Sequence, residues 1–155
     1  MPDYQNIFLE LLENLELDIS NLYKLFAEKF PAHKQLWDEL SDDEVQHASY
    51  IKKLASFFQQ GLVSLDEKTT KTFTIKTVRD AVKLTYQQTQ ENKLTPINAL
   101  AYSLSLEDSI LEKKFYDYFT TRDQNVAFVI NKIKRETSQH YQKVKDALEE
   151  AKKSR

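Results

Sequence analysis

One residue pair in this chain combines types and spacing suited to chemistry. In "DELSDDEVQHASYIKKL", residues 38 to 54, Glu44 and His47 lie three apart, one helical turn, so both point the same way from a helix. They interrupt an otherwise apolar row, Trp37, Leu40, Glu44, His47, Ile51, Leu54 and Phe58, whose alternating steps of three and four define one helix face. An ionised carboxylate on such a face costs several kcal/mol to bury unless a cation or hydrogen-bonding partner meets it. Three further stretches repeat the pattern. Glu16 lies beside the row Leu12, Leu15, Ile19, Leu22, Phe26. Glu107 falls within Ile97, Leu100, Leu104, Leu111, and His140 within Val126, Ile130, Ile133, Thr137, Val144, Ala147. Glutamates and histidines converging from four helices make a site for divalent metals, and a carboxylate-rich set with imidazoles suits iron or manganese.

The elements that must position these groups are legible as long helices. One glycine and three prolines in 155 residues leave little turn chemistry. A first helix is expected over 4–29. Pro31 breaks it at Phe30 and suits the first turn of a second, about 32–60, which stops at Gly61. Residues 62–76 read as a loop or extended connection. "TVRD", 77–80, resembles a capping box and opens a short helix to about 90. Thr95 as N-cap and Pro96 at the first helical position start a third long helix, 96–119, and "TTRDQ" separates it from a fourth, 124–151. The expectation is an all-α, single-domain chain, 1–155: a four-helix bundle with a long crossover containing a short helix between helices two and three.

Composition excludes several alternatives. Lys+Arg 22 against Asp+Glu 24 gives a net charge of −2, no basic field to attract nucleic acid or anionic lipid. No apolar run approaches the ~18 residues of a membrane span, and the acidic N-terminus lacks a signal-peptide pattern. Cysteine is absent, which removes thiol catalysis, Cys-ligated zinc and iron–sulfur or rubredoxin-type iron. A cytoplasmic location follows by default.

Glu16 with Tyr23 (E-x6-Y), Glu44-x-x-His47, Glu107 after a long connection, and His140 together resemble the ferritin-like family, and within it rubrerythrin and bacterioferritin domains, over about residues 5–150. The resemblance implies a di-metal carboxylate centre. Glu16 and His47 would serve one ion, Glu107 and His140 the other, with bridging carboxylates from the two E-x-x-H helices. It implies two iron ions, manganese being the alternative, and ferroxidase or peroxide-reducing activity on O2 or H2O2. A peroxidase would need an external electron donor, because the cysteine-free chain has no rubredoxin module. Tyr23 is the candidate catalytic residue, hydrogen-bonding a metal-bound carboxylate. A homodimer or higher homo-oligomer is expected, with Phe115, Tyr116, Tyr118 and Phe119 as core or dimer surface.

One departure from the pattern weighs on the centre. Where the family repeats Glu-x-x-His on helix four, this chain has Thr137, with Glu136 beside it. At ~100° per residue, Glu136 lies about 40° from His140 around the helix and Thr137 about 60° away on the other side. Either Glu136 serves after a small rotation or a π-bulge, or Thr137 replaces the ligand and the centre is mononuclear, asymmetric or vestigial. The other functional class is then a degenerate ferritin-like bundle acting as a structural or interaction protein.

Overall fold

The computed structural model of the chain describes residues 3–65, 72–113 and 115–153, with side chains from residue 5 onward and not at 111–113. It is all-α: helices α1 (Asp3–Lys29), α2 (Lys34–Gln59), α3 (Thr72–Gln90), α4 (Pro96–Lys113) and α5 (Gln124–Lys153). Two 3-10 turns, Pro31–His33 and Phe115–Tyr118, and two short strands, β1 (Val63–Leu65) and β2 (Phe119–Thr121), connect them. No helix among the described residues is long and apolar enough to cross a membrane.

Local chemistry explains the boundaries. Phe30, forced from helical geometry by Pro31, has φ −126° and ψ 72°. Gly61, at φ 76°, ends α2. The Leu62 amide donates to the Phe57 carbonyl and the Gly61 amide to Phe58, a Schellman motif that only a residue comfortable in left-handed geometry closes without strain. Asn92 (φ 59°) closes α3 in the same way, with the Lys93 amide donating to Gln88. Thr95 and Asn98 cap α4 reciprocally, each side chain accepting from the other's backbone amide at 3.1 Å. Asp123 caps α5 through the Val126 amide at 3.0 Å.

Two expected boundaries are corrected. The helix expected at 77 starts at Thr72, because Ile75 continues the buried row of Val78 and Val82 one turn upstream. The Thr77 hydroxyl donates to the Phe73 carbonyl inside the helix and caps nothing. α3 is therefore a substantial helix, and the connection before it contains strand β1; residues 66–71 lie outside the described residues. The third long helix ends at Lys113 and not at 119. Phe115 and Tyr116 are both buried in a tight 3-10 turn that leads directly into strand β2. Leu65 then pairs with Phe119 and Val63 with Thr121 in an antiparallel ladder.

Packing sets two helix pairs against each other. α1 and α2 run antiparallel: Ser20 and Ser41 exchange hydroxyl-to-carbonyl hydrogen bonds at 2.9 Å, and Glu13 meets Lys52 farther along. α2 and α5 are also antiparallel, since Asp43 meets His140 while Tyr50 meets Lys132. Tyr23 of α1 reaches Ser103 and Glu107 of α4, whereas Glu16 meets Tyr116 beyond its end. α3 lies along α1, joined by the Asp18–Arg79 ion pair at 2.9 Å. The core between the pairs includes Leu12, Leu15, Ile19, Leu22, Phe26, Trp37, Leu40, Ile51, Leu54, Leu100, Ile130 and Ile133. On α4 the inner face is rotated from the expected row: Ala99, Leu100, Ser103, Leu106, Glu107 and Ile110 are buried, while Ile97 and Leu104 are only partly so. Leu111 lies outside the described side chains. On α5, Leu148 replaces Ala147 inside.

Candidate metal centre

Five of the candidate residues converge at the middle of this core. Glu16, Glu44 and His47 form one group of possible metal ligands, and Glu44, Glu107 and His140 a second, each with ligand atoms within 4.8 Å of one another. All five are at most 2% exposed. Glu44 belongs to both groups. Its Oε2 is 3.4 Å from His47 Nδ1, and its Oε1 is 3.1 Å from His140 Nδ1. Glu16 Oε2 is 4.0 Å from His47 Nδ1 and Glu107 Oε1 is 3.8 Å from His140 Nδ1.

His140 Nδ1 and Glu44 Oε1 pair with each other at 3.1 Å, but other atoms of the cluster are left without hydrogen bonds. Glu16 Oε2, Glu44 Oε2, Glu107 Oε2 and His47 Nδ1 are buried and have no hydrogen-bond partner among the described residues. Buried polar atoms in folded proteins are nearly always paired, and each such atom left alone costs about 1–3 kcal/mol. A divalent cation would satisfy all four, and three oxygen donors with imidazole nitrogen are an ordinary ligand set for iron or manganese.

The other carboxylate oxygens and ring nitrogens, in contrast, are held. Tyr23 donates to Glu107 Oε1 at 2.7 Å and accepts from Ser103 at 2.9 Å. Tyr116 donates a short hydrogen bond to Glu16 Oε1. His140 Nε2 lies 2.9 Å from Asp43 Oδ2, and His47 Nε2 lies 3.0 Å from Glu136 Oε1. Carboxylates on the outer nitrogens orient each imidazole and turn Nδ1 inward, where His47 Nδ1 has no partner and His140 Nδ1 meets Glu44 Oε1.

Electrostatics follow from packing three carboxyls together. Burial, reinforced by the negative charge of Glu44, holds the Glu16 carboxyl well above its ordinary range. Burial and Glu44 likewise push Glu107 up to about 7. For Glu44 burial also opposes ionisation, but Glu16, His140 and His47 outweigh it and hold this carboxyl well below the usual range. Burial disfavours a charged His140, yet Asp43 and Glu44 overcome it and push this imidazole up to about 10. His47 is raised in the same way, by Glu44 and then Glu136 against burial. One carboxylate thus carries the charge, between two imidazoles, while its neighbours hold protons that a cation would displace.

The remaining candidates are placed otherwise. Glu136 is in neither ligand group and meets the far side of the His47 ring. α5 runs as an uninterrupted α-helix, so no π-bulge turns Glu136 inward. Thr137 is the buried neighbour, and its hydroxyl donates to the Ile133 carbonyl at 2.9 Å. Tyr23 touches the centre only through Glu107. Asp43, Tyr116 and Ser103 were not among the sequence candidates. Asp43 belongs to the run "SDDE", which reads as a solvated face, and Tyr116 to an aromatic run that reads as packing.

The chain matches no family model, and neither a curated protein nor a solved structure matches it.

Proposed function

We propose that this chain is a ferritin-like four-helix bundle, with α3 carried in the long crossover between α2 and α4, and that its core binds iron for reaction with O2 or H2O2. The observation that carries the reading is the set of unpartnered buried atoms, Glu16 Oε2, Glu44 Oε2, Glu107 Oε2 and His47 Nδ1, in two groups that share Glu44. Buried polar atoms in folded proteins are nearly always paired, and a cation would supply the partner these four lack.

In this reading Glu16 and His47 would hold one ion and Glu107 and His140 the other, with Glu44 available to both. Manganese fits the same donors. Bound ferrous iron would supply the reducing electrons for the oxidant. The protein's own groups do the rest. Tyr116 and Tyr23 orient the terminal carboxylates, Asp43 and Glu136 orient the imidazoles, and the surrounding apolar side chains exclude bulk water. Peroxide reduction to water would draw further electrons from an external donor.

The test is anaerobic Fe(II) titration followed by admission of oxygen. Wild type should bind iron and develop a ferric near-ultraviolet absorption, and Glu44→Ala and His47→Ala should do neither. If wild type takes up no more iron than these variants, the redox reading is wrong. One observation favours a second reading, a bundle whose centre has lost redox work. Thr137 offers no carboxylate, and the Glu44 charge is already flanked by His47 and His140. Such a protein would keep its stability unchanged in a chelator.

A further inference from the structure

The centre is built as two matching halves. Glu16 of α1 is held by Tyr116 from the α4–α5 half, and Glu107 of α4 by Tyr23 from the α1–α2 half. The His47 ring is held from outside by Glu136, and the His140 ring by Asp43. The run Asp43-Glu44-x-x-His47 therefore corresponds, residue by residue, to Glu136-Thr137-x-x-His140. Every ligand and every outer partner has its counterpart but one: Thr137 stands opposite Glu44. Its hydroxyl is committed to the Ile133 carbonyl, so this side of the centre provides no protein ligand.

Charge makes the gap consequential. Two divalent ions would bring four positive charges against the three buried carboxylates Glu16, Glu44 and Glu107. Asp43 and Glu136 compensate the ions less closely, because each lies on the far side of an imidazole ring and toward solvent, with 36% and 16% side-chain exposure. An uncompensated charge in a buried core costs several kcal/mol. The missing group has a defined chemistry, a carboxylate, which the hydroxyl and methyl of threonine do not supply.

Resting on the metal reading above, we infer that the centre takes a small monocarboxylate from solution at the Thr137 position, opposite Glu44, and that this anion completes the site for the second ion. The bound anion donates its oxygens to the metals as Glu44 does. It makes the centre responsive to one class of metabolite, short carboxylic acids, in place of a fixed protein ligand.

The experiment is equilibrium titration of the chelator-treated full chain with Mn(II), in chloride buffer with and without millimolar formate or acetate, read by stoichiometry and by electron paramagnetic resonance. In chloride alone, wild type should bind one ion tightly. Formate should raise the affinity for the second by about tenfold or more, at least what an outer-sphere partner contributes, and convert the isolated-ion spectrum to that of a spin-coupled pair. Thr137→Glu should bind two ions and give the pair signal without formate. Thr137→Ala, which removes only small groups, should keep the formate dependence and covers the case in which the glutamate variant does not fold. One ion bound in both buffers, or two bound equally in chloride alone, overturns the anion site and leaves the metal reading standing. A second-ion affinity that climbs with pH and ignores formate assigns the position to hydroxide and also overturns it. No Mn(II) binding beyond that of Glu44→Ala overturns the metal reading itself.

Discussion

Replacing Glu44 by glutamine keeps the shape of the side chain and removes its charge and half of its donor capacity. Because Glu44 is the one residue common to both ligand groups, the single oxygen left on glutamine cannot serve both fully, and at least one group falls from three ligands to two. The effect on stability can be worked through linkage. A metal bound with Kd ~1 µM and present at ~1 mM stabilises the fold by about 4 kcal/mol. At roughly 2–4 °C per kcal/mol for a chain of this size, that raises Tm by about 8–16 °C. If losing the shared carboxylate weakens binding about a thousandfold, the same metal concentration stabilises Glu44→Gln by only about 0.4 kcal/mol, a shift of roughly 1–2 °C. The assay is thermal unfolding followed by circular dichroism, for wild type and Glu44→Gln, in EDTA and in Mn(II). The comparison within each protein cancels the variant's own change in metal-free stability. Should metal raise the Tm of Glu44→Gln as far as that of wild type, Glu44 is not shared between ions and the two-group arrangement is wrong.

Three other outcomes are expected. In chelator, stability should fall as pH rises from about 4.5 through 7, because the raised Glu107 carboxyl favours folding only while protonated. It should fall further between 6.5 and about 10 as His140 gives up its proton. Glu44, held low, contributes in the opposite sense, and its share disappears only in stronger acid. Metal should reverse the neutral-to-alkaline slope, since it binds the deprotonated ligands; a Tm flat across this range in chelator would contradict the burial argument. Asp43→Asn should weaken metal affinity about 10–100-fold by removing the anion that aligns His140, read by competition with a chromogenic chelator. Gly61→Ala should cost about 1 kcal/mol, from the left-handed φ alone because open space surrounds an added methyl, and leave metal stoichiometry unchanged.

Helix periodicity made most of the molecule legible before any coordinates. Leu12, Leu15, Ile19, Leu22 and Phe26 are buried as their spacing requires, and Thr95 with Pro96 marks a helix start with its own chemistry. Glu44, His47, Glu107 and His140 stood out because polar groups on an apolar row need an explanation, and they are buried together. What escaped depends on distances across helices. Asp43 is one more acid in "SDDE" until His140 of α5 lies beside it. Tyr116 reaches Glu16 because a 3-10 turn replaces the end of a helix, a change that two adjacent aromatics do not announce. Ser103 is buried for the sake of the Tyr23 hydroxyl, so a polar residue marked the inner face of α4 where leucine was sought. The angular choice between Glu136 and Thr137 was nearly even on a helical wheel. In the structure Thr137 is turned in, and Glu136 meets the outer nitrogen of His47.

The outward contacts of the centre have a consequence for how the chain can be divided. Each brace crosses between the two helix pairs: Tyr23 to Glu107, Tyr116 to Glu16, Asp43 to His140, Glu136 to His47. A fragment ending after α2 would keep Glu16, Glu44 and His47 in one piece, yet neither its imidazole nor its terminal carboxylate would be steadied. This fragment and the complementary one carrying α4 and α5, produced separately and mixed, should bind manganese together and hardly at all apart. Metal uptake would then act as a reporter for reassembly of the split chain.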